Sequence, residues 1–307
     1  MADRKPHILV VNGRKVQDPV FVIGAPHSGT DLLARALKRS AGFHLTMGQP
    51  TVMSVVQAFA RSPSIQRGHG DAAASVLRDS FAQAWQVTAH GCLACSAACR
   101  EAGGVTGAAA CIAERDIRRY GDASPDLMYC ADELVDAFPD ARLVQIIRDG
   151  RDVVAAMLAD SAAMAWFRPS VANVDSEFPN PFFGIETADD LAAWPGLSLA
   201  GKCALRWRGS VRVMARLRNS LPAEGLTTLR YEDVVRHPAA AARAVSGFVG
   251  ADVAEIAGDA ELRAGPDAAG GQMALPPGGW RRALTPQQVT DIEQVAGPDL
   301  RRVGYGR

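Results

Sequence analysis

The most informative part of the chain is PVFVIGAPHSGTDLL, residues Pro19–Leu33. Its first part, Val20–Ile23, is a short run of β-branched and aromatic residues, which is typical of a strand buried in a parallel sheet. A glycine-containing turn, Gly24–Gly29, follows, and the apolar spacing after it predicts a helix over Asp31–Ser40. A turn between a strand and a helix gathers backbone N–H groups at the positive end of the helix dipole. This order therefore predicts a loop that binds a phosphate group.

The loop lacks the groups that bind a metal-bound triphosphate. In the G-x-x-x-x-G-K-[ST] loop of ATP-binding proteins, a lysine reaches the β- and γ-phosphates and a hydroxyl binds Mg²⁺. Here Thr30 and Asp31 follow Gly29, so the lysine and the usual hydroxyl position are absent. The loop is therefore predicted to bind a 5′-phosphate or phosphosulfate. A plain strand-to-helix turn is the alternative when this pattern is taken alone.

Strands and helices alternate along the rest of the chain. Two further buried strands are predicted at Arg142–Ile147 and Leu226–Arg230, and a helical pattern follows each of them. A final helix is predicted over Pro286–Ala296, with Gly297 as its stop. The alternation predicts an α/β fold with a central parallel sheet flanked by helices.

The second predicted strand leads directly into RDGRDVV, residues Arg148–Val154. Arginine presents a planar fork of N–H donors that matches phosphate oxygens. Together with the glycine-containing loop, this motif resembles the sulfotransferase family that uses 3′-phosphoadenosine 5′-phosphosulfate (PAPS). Members of that family carry a G-x-P-[RKH]-S-G-T loop and later an R-D-x-R-D-V motif. Three further segments match the family in its order: FPDAR at Phe138–Arg142, LRYEDVVRHP at Leu229–Pro238 and GWRRALTPQQV at Gly279–Val289.

The resemblance implies a P-loop-like fold of three layers and a site for PAPS, which leaves as adenosine 3′,5′-bisphosphate after transfer. The 5′-phosphosulfate would be held by the loop residues Pro26, His27, Ser28, Gly29, Thr30 and Asp31. Arg148 would bind the 3′-phosphate with help from Arg281 or Arg282, and the nucleoside would lie near Tyr231. From the residues alone, Arg148 and Arg151 could instead form a solvated charge cluster. Tyr231 could likewise be a core residue.

Several positions depart from the family pattern. His27 stands where many relatives have Arg or Lys, and Gln49 stands where many have a glutamate that acts as a base. Ala123 takes the place of the lysine in a K-[ST]-P element, and Ala156 that of a serine after the R-D-x-R-D motif. We predict that His27 is the main catalytic residue, either polarising the sulfuryl group or accepting a proton. Secondary candidates are Asp122, His44, His69 and His90.

Four of the six cysteines follow one another in the pattern C-x₂-C-x₃-C-x₁₁-C: Cys92, Cys95, Cys99 and Cys111. A C-x₂-C pair is a common half of a tetrahedral zinc site, and the other two thiols could complete it. We therefore predict a structural zinc ion that orders a segment rich in Gly and Ala. Disulfides, an iron–sulfur cluster and unpaired buried thiols are the alternatives, and the expected reducing cytoplasm weakens the first of them.

Composition limits the classes of partner. The chain has 33 Lys+Arg and 33 Asp+Glu residues and a formal net charge of zero, so we expect no nucleic-acid partner. Neither a secretory signal nor a run of about 18 apolar residues is apparent, so we expect a cytoplasmic protein without a membrane span. With no repeat and no linker, we predict a single domain over 1–307. It would carry a Cys-rich insertion at about 86–121 and an irregular, lid-like segment at about 166–198.

The predicted function is transfer of a sulfuryl group from PAPS to a hydroxyl or amine of a small molecule, such as a bacterial natural product. A homodimer stays open. The irregular segment supplies six aromatic residues that could cover an apolar acceptor or simply pack in the core: Trp166, Phe167, Phe178, Phe182, Phe183 and Trp194. The altered positions keep two alternatives open: a non-catalytic relative that binds the nucleotide or a partner, and a different group transfer on the same scaffold.

Overall fold

The computed structural model describes residues 8–67, 69–88, 91–92, 95–105, 109–256 and 275–306. The strands are β1 (Val10–Val11), β2 (Arg14–Lys15), β3 (Val20–Ile23), β4 (Phe43–Thr46), β5 (Val87–Thr88), β6 (Gly91–Cys92), β7 (Arg119–Asp122), β8 (Arg142–Ile147) and β9 (Leu226–Arg230). The helices are α1 (Thr30–Arg39), α2 (Pro50–Arg61), α3 (Gly70–Ala84), α4 (Ala97–Ala102), α5 (Ala131–Ala137), α6 (Gly150–Ala159), α7 (Ser161–Ala165), α8 (Ala188–Ala193), α9 (Leu199–Ser220), α10 (Tyr231–Arg236), α11 (Pro238–Val249), α12 (Trp280–Ala283) and α13 (Pro286–Arg302).

A five-stranded parallel sheet lies at the centre of the described structure. Its order is β4-β7-β3-β8-β9, and every neighbouring pair is parallel. The strands β3, β8 and β9 have the bounds that the sequence predicts. Because β3 and β8 are parallel neighbours, the turns at their carboxyl ends lie side by side. This brings the phosphate loop next to the RDGRD motif.

The other two strands of the sheet, β4 and β7, are not predicted from the sequence. Both are short, and both bury polar side chains, namely those of His44, Thr46 and Asp122. Gly121 belongs in β7 because a Cβ there would lie 2.5 Å from the carbonyl oxygen of Val20 in β3. Polar side chains and a glycine obscure the apolar pattern on which strand prediction depends.

Side chains of the sheet alternate between two hydrophobic cores. In β3, Phe21 and Ile23 belong to one core, whereas Val20 and Val22 belong to the other. The first core is completed by α2, α3, α5, α6, α9 and α13, and the second by α1, α4, α10 and α11. Helices therefore cover both faces of the sheet, and the predicted three-layer α/β fold is confirmed.

The predicted end of the last helix is wrong. The helix α13 continues past Gly297 and Pro298 and ends at Arg302. Its last turn packs on α9, where the buried carboxylate of Asp299 pairs with the guanidinium of Arg212 at 3.1 Å. Tertiary contacts of this kind override the local stop signal.

Aromatic rings from the irregular segment at about 166–198 lie in the core. Phe182 and Phe183 are fully buried, and Phe167 and Trp194 nearly so. The ring of Phe183 lies 6.2 Å from that of Phe167 and 5.5 Å from that of Trp194, between centroids. Core packing accounts for these four rings, so they do not support a lid over a substrate. The layout of one domain with two insertions stays a prediction.

Candidate active site

Close contacts shape the turn between β3 and α1. A Cβ at Gly24 would lie 2.7 Å from the carbonyl oxygen of Ile146 in β8, so only glycine fits where the two strands meet. Gly29 has a φ of 99°, and a Cβ there would lie 2.5 Å from Cδ2 of Tyr231. His27 also has a positive φ, of 60°. The turn is therefore held in one tight conformation between β8 and α10.

The turn presents hydrogen-bond donors at the N-terminus of α1. This helix begins at Thr30, and within the described residues no side chain caps it. The hydroxyl of Ser28 is buried, and no residue in the described part of the chain bonds to it. Buried hydroxyls normally have a partner, and an uncapped helix N-terminus attracts anions. Both features fit a bound phosphate group.

The guanidinium of Arg148 lies beside this turn. Its Nη1 donates to the carbonyl oxygen of His27 at 2.9 Å, and its Nη2 donates to that of Leu275. Its Cζ lies 4.3 Å from the centre of the Tyr231 ring. Its Nε is buried and bonds to no described residue. The structure thus brings Arg148 and Tyr231 together with the loop, as the family resemblance implies.

Other charged residues of the RDGRD motif hold the surrounding chain. Asp149 accepts a hydrogen bond from the N–H of Arg151 at 2.9 Å and pairs with its guanidinium at 2.8 Å. Asp152 accepts from the backbone N–H groups of Gly278 and Trp280 at 2.7 and 2.8 Å. Arg151 is therefore a buried structural residue, not part of a solvated cluster.

The segment that Asp152 holds also carries Arg281. This side chain is exposed, and its Cζ lies 4.5 Å from the centre of the Trp280 ring. Asp152 and Trp280 thus set the position of Arg281. A role for Arg281 in binding a 3′-phosphate stays a prediction.

Asp160, which no sequence pattern marked as a site residue, pairs with His27. Nε2 of His27 lies 3.1 Å from Oδ2 of Asp160, and the other carboxylate oxygen accepts the N–H of Ala162 at the start of α7. The two side chains are 28% and 30% exposed, so the pair is open to solvent. An ionised carboxylate only accepts hydrogen bonds, so Nε2 is the donor. Asp160 therefore orients the ring. The sequence feature that could have identified Asp160 is its position directly after α6, the helix that starts within the RDGRD motif.

Gln49 serves a structural purpose. Its side-chain oxygen accepts the N–H of Thr51 at 3.2 Å and so caps α2, and the residue is buried. Gly48, before it, has a φ of 59° and allows the sharp entry into the helix. The position nearest to the family's base is thus occupied by a helix cap.

The histidines named as secondary candidates are dispersed. His44 lies in β4 with its ring edge-on to Tyr120, at 6.0 Å between centroids. Burial lowers the pKa of His44 to about 4, so it is neutral at physiological pH. His69 precedes α3 and is exposed. His90 lies outside the described residues.

Asp122, the remaining secondary candidate, is fully buried at the carboxyl end of β7. Its carboxylate accepts hydrogen bonds from Thr46 Oγ1 and from the N–H of Ser124, both at 2.6 Å. Burial raises the pKa of Asp122 to about 6, although these hydrogen bonds act in the opposite direction. The folded protein therefore binds a proton at Asp122 more tightly than the unfolded chain does.

This difference predicts an effect of pH on stability. Between about pH 4 and 6 the folded state holds the proton that the unfolded state has lost, so the free energy of unfolding falls as pH rises. The loss is at most on the order of 3 kcal/mol above pH 6. We expect Asp122→Asn to remove this slope, as measured by urea unfolding of both proteins from pH 4 to 8. Parallel curves for the two proteins would contradict it.

The predicted zinc ligands are partly brought together. The Sγ atoms of Cys92, Cys95 and Cys111 all lie within 4.8 Å of one another. Cys99 is buried beside them, with its Sγ 3.8 Å from the carbonyl oxygen of Leu45. All six cysteines are free thiols, so the disulfide alternative is not supported.

The described helices include none with the length and apolar character that a membrane span requires.

Comparisons with known proteins identify the family. A profile of the Sulfotransferase family matches residues 19–255. A search of curated proteins gives no significant match. Among solved structures, the sulfotransferase domain of an olefin synthase from Synechococcus PCC 7002 is 15% identical, with a TM-score of 0.46 over 92% of this chain and 98% of that one. A sulfotransferase from Alicyclobacillus acidocaldarius is 16% identical, with a TM-score of 0.40 over 92% and 96%. A mouse sulfotransferase complexed with PAP is 15% identical, with a TM-score of 0.41 over 92% and 85%. Because the profile spans most of the chain, this protein belongs to the Sulfotransferase family.

Proposed function

We propose that the protein transfers a sulfuryl group from PAPS to a hydroxyl or amine of a small molecule and releases adenosine 3′,5′-bisphosphate. The observation that carries this proposal is the buried Ser28 hydroxyl, which has no partner among the described residues, at the uncapped N-terminus of α1 beside Arg148. These groups fit an anionic ligand with phosphate-like oxygens. The residues that would hold the 5′-phosphosulfate are Pro26, His27, Ser28, Gly29, Thr30 and Asp31.

Arg148 is the residue proposed for the 3′-phosphate. It is buried, and its Nε is left without a partner by the described residues, so a hydrogen bond to an anion would satisfy it. The ring of Tyr231 supports the guanidinium from one side at 4.3 Å. Asp152 fixes the segment of Arg281, which is proposed to assist at the same phosphate.

His27 is the proposed catalytic residue. Its ring is oriented by Asp160 and lies on the turn that would hold the phosphosulfate. Relatives with Arg or Lys at this position suggest that a positive charge is needed there. A protonated His27 would supply it by stabilising charge that develops on the sulfuryl oxygens. Because Gln49 caps a helix, the acceptor would have to lose its proton without a glutamate base, which favours phenols and amines over aliphatic alcohols.

Binding of adenosine 3′,5′-bisphosphate tests the cofactor site. We expect the wild type to bind it, and we expect Arg148→Ala to bind about 10- to 100-fold more weakly, because charge-assisted hydrogen bonds are lost. Calorimetry measures both, and thermal unfolding shows whether the variant is folded. The matched control is Arg236→Ala, because Arg236 is exposed and pairs only weakly with Asp233 at 3.5 Å. Equal affinity of Arg148→Ala and the wild type would refute the assignment.

A second candidate function is binding of the nucleotide without transfer, and the use of Gln49 as a buried helix cap favours it. Incubation with PAPS labelled in the sulfuryl group, together with a panel of phenols, amines and bacterial natural products, separates the two functions. Label in any acceptor supports transfer. Tight nucleotide binding without labelled product would leave the binding function. A product with a different mass shift would indicate another group transfer on this scaffold.

A further inference from the structure

The cysteines of the Cys-rich segment form a cluster that the proposed transfer reaction does not use. Sγ of Cys95 lies 3.5 Å from Sγ of Cys111, and the N–H of Cys111 points at Sγ of Cys92 at 3.4 Å. All three sulfur atoms lie within 4.8 Å of one another. In a tetrahedral zinc–thiolate site with Zn–S bonds of about 2.3 Å, sulfur atoms are about 3.8 Å apart. The three thiols are therefore close enough together to bind one ion.

A fourth thiol lies next to these three. Cys99 is one helical turn after Cys95, at the start of α4, and its side chain interacts with those of Cys95 and Cys111. Its Sγ faces the carbonyl oxygen of Leu45 at 3.8 Å, and the residue is buried. Ser96 caps α4 by accepting the N–H of Cys99 at 3.0 Å, which fixes the helix on which this ligand stands.

A buried ammonium group accompanies the cluster. Lys38 of α1 is 8% exposed, and its Nζ donates to the Leu45 carbonyl oxygen at 2.8 Å, the same atom that Sγ of Cys99 faces. Lys38 also interacts through its charge with Cys95, Cys99 and Cys111. Among the described residues no carboxylate pairs with this ammonium group. A buried cation needs nearby negative charge, and thiolates bound to a divalent ion would supply it.

We propose that the protein holds a structural Zn²⁺ ion on four thiolates: Cys92, Cys95, Cys99 and Cys111. Four thiolates leave the ion without an open position, so it binds no substrate. Among the alternatives, a disulfide would require two sulfur atoms about 2.05 Å apart, whereas Cys95 and Cys111 are at 3.5 Å. The choice of zinc over an iron–sulfur cluster rests on the close spacing of the thiols, because sulfur atoms within 4.8 Å of one another suit a single ion better than a larger cluster. Metal analysis distinguishes the two.

The site would fasten the Cys-rich segment to the phosphate-loop side of the sheet. Ser96 Oγ donates to the carbonyl oxygen of Met47, just after β4, at 2.5 Å. On α1, Arg39 Nε donates to the carbonyl oxygen of Ala102 at 3.2 Å, and Arg35 pairs with Glu101 at 3.3 Å. Held by the ion, the Cys-rich segment would cover the edge strand β4. The backbone of this strand would otherwise be open to pairing with another chain.

Metal analysis of the full chain, purified under reducing conditions without chelator, tests the proposal. We expect about one zinc per chain, and we expect it to be lost when any one of the four cysteines is changed to alanine. The matched controls are Cys130→Ala and Cys203→Ala, because both of these cysteines are as buried as Cys99 but belong to the other hydrophobic core. The controls should keep the zinc. An absence of stoichiometric metal in the wild type would overturn the proposal, as would iron with visible absorption or fewer than six reactive thiols in denaturant.

Two measurements on the folded wild type remain decisive if a variant does not fold. Titration with a mercurial that binds thiols should release the zinc in step with thiol modification. Replacement of zinc by Co²⁺ should give the intense visible bands of a tetrahedral tetrathiolate site. A cobalt spectrum of lower thiolate count, or one that Cys99→Ala leaves unchanged, would remove Cys99 from the ligand set. None of these readouts depends on sulfuryl transfer, so the zinc proposal and the proposed function can fail separately.

Discussion

Replacement of His27 by asparagine is expected to lower turnover by about 10²–10⁴-fold, the range found for loss of a positioned acid–base or charge-stabilising side chain. Asparagine is the suitable substitution because His27 has a φ of 60°, and asparagine tolerates this left-handed conformation better than alanine does. Affinity for adenosine 3′,5′-bisphosphate should fall much less than turnover does, because that product keeps the 5′-phosphate but lacks the sulfuryl group on which the His27 ring is proposed to act. Single-turnover transfer of labelled sulfuryl group, with calorimetry of the product complex, measures both quantities.

The pH dependence of turnover distinguishes the two roles that a histidine can have here. If protonated His27 stabilises the sulfuryl oxygens, turnover should fall as rising pH removes the proton from the ring. If neutral His27 accepts the acceptor's proton, turnover should rise instead. We expect the fall, and we expect His27→Asn to abolish it. Unchanged turnover of His27→Asn would remove His27 from the catalytic machinery altogether.

Asp160→Asn is the positioning control in this series. Its side-chain oxygen can still accept the N–H of Ala162, so the cap of α7 is preserved, whereas the negative charge that faces His27 is lost. We therefore expect a change in the pH profile of turnover that is greater than any change in thermal stability. A purely structural Asp160 would leave the pH profile unchanged.

The sequence predicted the fold correctly where a buried strand is also a continuous run of apolar residues. The strands β3, β8 and β9 are apolar runs bounded by turn signals, and they appear with the predicted bounds. The strand β7 carries Gly121 for close approach to Val20 and a buried Asp122, and neither residue favours a strand by itself. The end of α13 depends on the ion pair of Asp299 with Arg212 of α9, which no local signal encodes.

The grouping of the predicted phosphate loop with Arg148 and Tyr231 was expected only through the family resemblance, and the roles of these residues stay predictions. The order of strand, glycine turn and helix indicates a phosphate loop, but it does not indicate that Arg148 would lie against the His27 carbonyl with Tyr231 beneath it. Asp160 was missed because its partner lies 133 positions earlier in the chain. The spacing of the cysteines predicted a cluster, and the structure brings the Sγ atoms of Cys92, Cys95 and Cys111 within 4.8 Å of one another. Cys111 joins them from 16 positions after Cys95, and the zinc ion itself stays a proposal.

The buried ion pair of Arg206 and Asp126 predicts the largest loss of stability. Arg206 is 1% exposed, and its Nη2 contacts Oδ1 of Asp126. Its Cζ lies 3.9 Å from the centre of the Phe182 ring, so apolar surface surrounds the charge. Asp126→Asn keeps the shape and the tolerance for the left-handed φ of 65° but leaves the guanidinium without a countercharge. We expect the free energy of unfolding to fall by about 3–5 kcal/mol, measured by urea denaturation.

The double variant Asp126→Asn, Arg206→Met should recover most of that loss, because a methionine fills similar volume without a charge that must be compensated. The matched surface control is Asp233→Asn, which breaks the exposed pair with Arg236 at 3.5 Å and should change stability by no more than about 0.5 kcal/mol. Recovery in the double variant would attribute the loss to the stranded charge and not to a cavity. If the double variant were less stable than Asp126→Asn alone, the packing of Arg206 against Phe182 would contribute more to stability than the cost of its unpaired charge takes away. Arg206 would then stabilise the core mainly through its packing.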